Sequence, residues 1–171
     1  MLKLKSTLAM LGMIGVLAAP LASHADTYSK SKIATFDVSM KIVADCTISA
    51  ASMDFGQNQG VINTVVSANS NISVTCTNTT PYNVGLNAGT GTGSNGTTRY
   101  MNGTSANTGT VQFNLYRSPG AGLWGNTQGT DTVSGVGSGV AQTLTVYGEI
   151  PVQTTPAPDS YKSTVTATVY F

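Results

Sequence analysis

Ala34-Thr35-Phe36-Asp37-Val38-Ser39-Met40-Lys41-Ile42-Val43-Ala44 is the longest clean alternation in the chain. Ala34, Phe36, Val38, Met40, Ile42 and Ala44 fall on one face. Thr35, Asp37, Ser39 and Lys41 fall on the other, and Val43 is the one misfit. Side chains that alternate with period two mark a strand with one side seeking burial. The same period returns downstream at Ile72, Val74 and Cys76, at Tyr82, Val84 and Leu86, and at Val111, Phe113 and Leu115. It returns again at Leu144, Val146, Gly148 and Ile150, and finally at Val165, Ala167, Val169 and Phe171. Val61 to Val66 and Asn71 to Thr77 read as two further strands, and helical periodicity is absent from residue 26 onward.

Turn chemistry separates these runs. Residues 89–96, 102–109 and 125–139 are rich in Gly, Thr, Asn and Ser, which tolerate positive φ or bond to their own backbone. Pro151, Pro156 and Pro158 stiffen the connection before the last strand. About seven short strands at this spacing predict an all-β sandwich of immunoglobulin type.

The first 25 residues read as a cleaved secretory signal peptide. Lys3 and Lys5 give a positive start, Leu8 to Leu17 an apolar run, Pro20 a break, and Ser23-His24-Ala25 a small-residue cut site. The run falls short of the roughly 20 residues a membrane span needs, and no later stretch is long and apolar enough. The expected organisation is therefore residues 1–25 as signal, 26–41 as an N-terminal extension, and 42–171 as one sandwich domain. The expected route is export.

The chain has 8 basic and 7 acidic residues and a formal net charge of +1, with no basic cluster, so nucleic acid is not an expected partner. The two cysteines, Cys46 and Cys76, are expected to pair in an oxidising compartment, against the alternative of two free thiols. The loop they close corresponds to roughly 3–4 kcal/mol in the chain-entropy account.

Catalysis is not expected. The single histidine, His24, leaves with the signal, which removes triads built on imidazole and histidine metal sites. No catalytic residue, metal ligand or cofactor site is assigned. Asp131 and Asp159 sit in turn-like sequence and Glu149 on the polar phase of a strand, so a two-carboxylate hydrolase has no visible pair. Gly89-Thr90-Gly91-Thr92-Gly93 lacks the Lys-Ser/Thr and helix of a phosphate loop. Asn71, Asn78, Asn95 and Asn102 each open an Asn-x-Ser/Thr triplet, a chance pattern in a chain so rich in Asn and Thr. Tyr100, Trp124 and Tyr161 lie in or beside loops and leave two readings: stacking surfaces for a sugar, or anchors packed on the sandwich.

The long N-terminal alternation is a surplus strand, while the chain closes at Phe171 within strand-like sequence. A sandwich with a surplus at one end and a deficit at the other can complete a neighbour. The pattern by itself fits an ordinary first strand equally well.

An ordered set of segments carries a family resemblance. It comprises Cys46-Thr47, Asn71-Ile72-Ser73-Val74-Thr75-Cys76, Phe113-Asn114-Leu115-Tyr116-Arg117 and Leu123-Trp124-Gly125. It continues with Tyr147-Gly148-Glu149-Ile150, Pro158-Asp159-Ser160-Tyr161 and Val165 to Phe171. In these the chain resembles the spore coat protein U domain family, which includes subunits of archaic chaperone–usher pili. The resemblance implies an incomplete immunoglobulin-like β-sandwich completed by donor-strand exchange. It implies a periplasmic chaperone, an outer-membrane usher and identical or related pilin subunits as partners. It also implies transit through the periplasm to a surface fibre serving adhesion and biofilm formation. On this basis the donor segment lies within Lys32 to Lys41, with Phe36, Val38 and Met40 as plugs. Ile42 to Cys46 opens the subunit's own first strand, and Val165, Val169 and Phe171 belong to the acceptor groove and chaperone contact. The alternatives are a secreted coat structural protein and a minor or tip sugar-binding subunit.

Overall fold

The computed structural model describes residues 29–58, 60–105 and 107–171, so the expected signal peptide lies outside the described residues. The chain divides into two units, Met1–Met40 and Lys41–Phe171. In the first, residues 29–40 are exposed and carry no regular secondary structure. This corrects the strand expected over Ala34 to Ala44, since residues 41–45 are likewise irregular and the first strand begins at Cys46. Alternation reports which side chains favour burial; a strand also needs a hydrogen-bonded neighbour along its edge.

The second unit holds ten strands among the described residues. They are β1 (Cys46–Ala50), β2 (Val66–Cys76), β3 (Pro81–Leu86), β4 (Arg99–Gly103) and β5 (Thr110–Ser118). Then follow β6 (Ala121–Leu123), β7 (Val133–Val136), β8 (Gln142–Ile150), β9 (Tyr161–Lys162) and β10 (Ala167–Tyr170). One sheet runs β1-β2-β8-β5-β4-β9 with β6 added on β5, and the other runs β10-β3-β7. All pairings are antiparallel, and the longest ladder sets Val66–Val74 against Ile150–Gln142. The fold is thus all-β, as the alternation predicts. No helix among the described residues is long and apolar enough to cross a membrane.

The core lies between the sheets. Ile72, Val74, Phe113, Leu115 and Val146 from one face pack with Tyr82, Val84 and Leu86 from the other, all at or below 5% exposure. Each such side chain contributes about 1.5–3 kcal/mol on burial. The outward residues of β1, β2, β5 and β8 are of a different kind. Thr47, Ser49, Ser67, Asn69, Asn71, Ser73 and Thr75 are joined there by Gln112, Asn114, Tyr116, Thr143, Thr145, Tyr147 and Glu149.

One strand, β2, stands where two were expected at Val61 to Val66 and Asn71 to Thr77, and β4, β6, β7 and β9 fall where no strand was expected. In β4 the inward phase is held by Arg99, which is fully buried, and by Met101. A buried cation in that phase hides the alternation. Strand β7, Val-Ser-Gly-Val, reads as turn sequence and is set by its pairing with β3, Val136 opposite Pro81. Proline at the first position of a strand costs the ladder least.

Candidate functional site

Strand β1 pairs only with β2, and β10 pairs only with β3, so one edge of each has no ladder partner among the described residues. The two edges come within 8 Å of each other, Cα to Cα, without a ladder between them. Beside them opens a groove of about 410 Å³. One wall is built from Ala50, Ala51, Ser52, Met53 and Phe55, and the other runs from Tyr161 through Val165 to Ala167. Ile72, Leu86, Met101, Phe113, Leu115 and Val146 form its floor. The lining contains one ionisable cation, Lys162, and no carboxylate. Such a site suits extended, apolar chain and offers no acid–base pair for chemistry.

Local sequence explains each wall. After β1, the Ala51 amide donates to Asn71 O at 2.9 Å, and Ser70 Oγ donates to the carbonyls of Ala51 and Ser52 at 2.8 and 3.1 Å. The connection then turns inward. Met53 and Phe55 lie where a Cβ on Gly148 would be, and Phe55 meets Phe113 edge-on with centroids 6.5 Å apart. Gly148 stands in the inward phase of β8, so its missing side chain is what admits them. The opposite wall is tied by Asn87, whose amide donates to Thr166 O at 3.0 Å while its Oδ1 accepts from the Thr166 amide at 2.8 Å.

Of the residues assigned from sequence, Val165 lines the groove. Val169 is half-buried against the core, and Phe171 is 60% exposed. Both line a second depression of about 520 Å³ with Pro81, Asn83, Gln128 and Tyr170. Phe36, Val38 and Met40 are 86%, 86% and 84% exposed. Cys46 and Cys76 are bonded to each other from directly opposite positions in the β1–β2 ladder, Cα to Cα 4.1 Å. The sequence does not mark Met53, Phe55, Met101 and Tyr161 as groove residues; the two-residue spacing of Met53 and Phe55 is the one signal it carries for them.

The remaining candidates are occupied by the fold. Trp124 is 1% exposed and its Nε1 donates to Val84 O at 2.8 Å, which settles its two readings in favour of an anchor. Asp131 accepts from the Thr127 amide at 2.6 Å. Asp159 accepts from the Ser105 amide, Ser105 Oγ and its neighbour's amide at Ser160. The Ser105 amide is the main cause holding this carboxyl below its ordinary range, while desolvation pushes the other way.

Comparison with known proteins adds a family and a fold. The family model for the Spore Coat Protein U domain matches residues 32–168. No curated protein matches the chain. Among solved structures, the chain is similar to one described as the CsuC–CsuE chaperone–tip adhesion subunit pre-assembly complex from archaic chaperone–usher Csu pili of Acinetobacter baumannii. The TM-score is 0.56 and the identity 25%, over 76% of this chain and 40% of that one. The match thus spans less than half of that chain's length. A second similar structure is the minor tip subunit HdaB of the E. coli Hda pilus, with TM-score 0.38 and 18% identity over 73% of this chain and 79% of that one.

Proposed function

Because the chain belongs to the Spore Coat Protein U domain family, we propose that it is a structural subunit of a surface pilus, polymerised by donor-strand exchange. The single observation that carries this is the apolar groove beside two strand edges, β1 and β10, that have no ladder partner among the described residues. In the fibre, the Lys32–Lys41 segment of one copy lies in the groove of the next, with Phe36, Val38 and Met40 facing the floor. A periplasmic chaperone occupies the groove in transit, with Val165, Val169 and Phe171 at its contact, and an outer-membrane usher exchanges it for the next subunit. The product is a cell-surface fibre serving adhesion and biofilm formation, and the role is structural, not catalytic.

Magnitudes support the reading. Three apolar plugs moved from water into the groove contribute on the order of 5–9 kcal/mol before ordering entropy is counted. Ladder bonds on both sides add to this and cover two edges that would otherwise invite aggregation. A strand between two others needs about 9.5 Å, twice the ordinary spacing, so the edges part by a few Å where they now approach within 8 Å.

Electron microscopy of the mature chain tests the proposal. Fibres are expected, and the paired change Phe36→Asp with Val38→Asp is expected to leave folded protein without fibres. Normal fibres from that variant would refute the donor assignment.

A further inference from the structure

The groove poses a mechanical problem. Its floor is apolar, and exposed apolar surface favours the approach of walls and floor. Something must keep the walls from closing on the floor.

Arg99 reaches the required places. It stands on β4 opposite Phe113 of the floor and has no exposed surface. Its Nη2 donates to Leu86 O at 2.9 Å and to Trp124 O at 2.7 Å, and its Nε donates to Asn87 O at 3.0 Å. Nη1 reaches Thr97 O at 3.4 Å. One planar fork therefore joins the sheet carrying β4 to the end of β3 in the other sheet. Leu86 is fixed on both sides, since its amide donates to Gly125 O at 2.8 Å, and its side chain stays on the groove floor. Asn87 passes the constraint on through its two bonds to Thr166, which sits between the wall residues Val165 and Ala167.

A fully buried cation is a poor choice for stability alone. A well-packed apolar side chain of similar size is often neutral or better in such a place. What the guanidinium supplies is geometry: rigid donors that hold several carbonyls at set positions. Burial pushes its pKa down to about 10, with the nearby Asp131 carboxylate opposing that shift, so it stays charged across the neutral range.

We infer that Arg99 is a positioning residue for strand acceptance, holding open the groove wall at Val165–Ala167 through Leu86 and Asn87. This rests on the donor-strand reading above.

The test measures fibre growth of the full mature chain per folded molecule. Arg99→Met is compared with Ile150→Ala, a core change at the far end of β8 outside the groove lining, at temperatures giving equal folded fractions. Arg99→Met is expected to grow fibres at least tenfold more slowly than the control, and Arg99→Lys, which keeps charge but loses the fork, is expected not to rescue it. Growth of Arg99→Met equal to the control, or full rescue by Lys, would overturn the inference while leaving donor-strand exchange intact. Fibre growth unaffected by Phe36→Asp with Val38→Asp, or no growth from the wild-type chain, would overturn both. Should Arg99→Met not fold, Asn87→Ala removes the side-chain half of the link, the Oδ1 that accepts from the Thr166 amide, without touching the buried charge. It is expected to slow growth severalfold, and wild-type growth from it would count against the relay.

Discussion

Trp124 donates its indole N–H to the carbonyl of Val84 at 2.8 Å, joining the end of β6 in one sheet to β3 in the other. The side chain is among the largest that are fully buried. Trp124→Phe keeps most of the packing and removes the bond. It is expected to lower unfolding stability by about 1–3 kcal/mol, measured by urea denaturation followed by circular dichroism. An unchanged midpoint would mean the bond is not holding the sheets together.

The Cys46–Cys76 bridge closes a separation of 30 residues across adjacent strands. Cys46→Ser, Cys76→Ser and the double variant are each expected to lose about 3–4 kcal/mol, by constraint of the unfolded chain. All three remove the same link, so their denaturation midpoints without reductant should coincide. A double variant much less stable than either single would show that the thiols contribute in some other way.

Gly148 is expected to reject a methyl group. Gly148→Ala forces Met53 and Phe55 from their seats and should cost about 1–3 kcal/mol. Adding Met53→Ala should recover part of that loss, giving a coupling energy of opposite sign in a double-mutant cycle. Strict additivity would place Met53 elsewhere in solution.

Asp159 sets an acid limit on one loop. Its carboxyl is held below the ordinary value near 3.9, chiefly by the Ser105 amide. A carboxyl depressed in the folded state contributes stability that is present above its ordinary pKa and lost as pH falls through the lower folded value. Protection of the Ser105 amide from hydrogen exchange should therefore fall below that range in the wild type. In Asp159→Asn it should already be low at neutral pH. Equal protection in both would mean the carboxylate does not fasten the loop.

Much of the sandwich is visible in the sequence. Tyr82-Val84-Leu86, Val111-Phe113-Leu115 and Leu144-Val146 are inward in β3, β5 and β8, as their spacing predicts. The alternation from Ala34 is equally regular, yet it forms no strand, because period two records a preference for burial and is silent about pairing. Strand β4 is hidden in the sequence for the opposite reason. Its inward residue Arg99 is a cation whose partners are main-chain carbonyls, and carbonyls leave no trace in sequence. The groove shares this difficulty. Val165 could be found by phase, whereas the wall at Met53 and Phe55 depends on an absent side chain nearly a hundred residues later, at Gly148.

The outward face of β1, β2, β5 and β8 carries hydroxyls, amides and two phenols, with Glu149 its one ionised side chain. Dissolved salt acts on proteins by screening charge over a distance of about 8 Å at physiological ionic strength. A face with so little charge gives that screening little to act on. Whatever this side of the molecule touches, charge screening is expected to alter the contact only weakly.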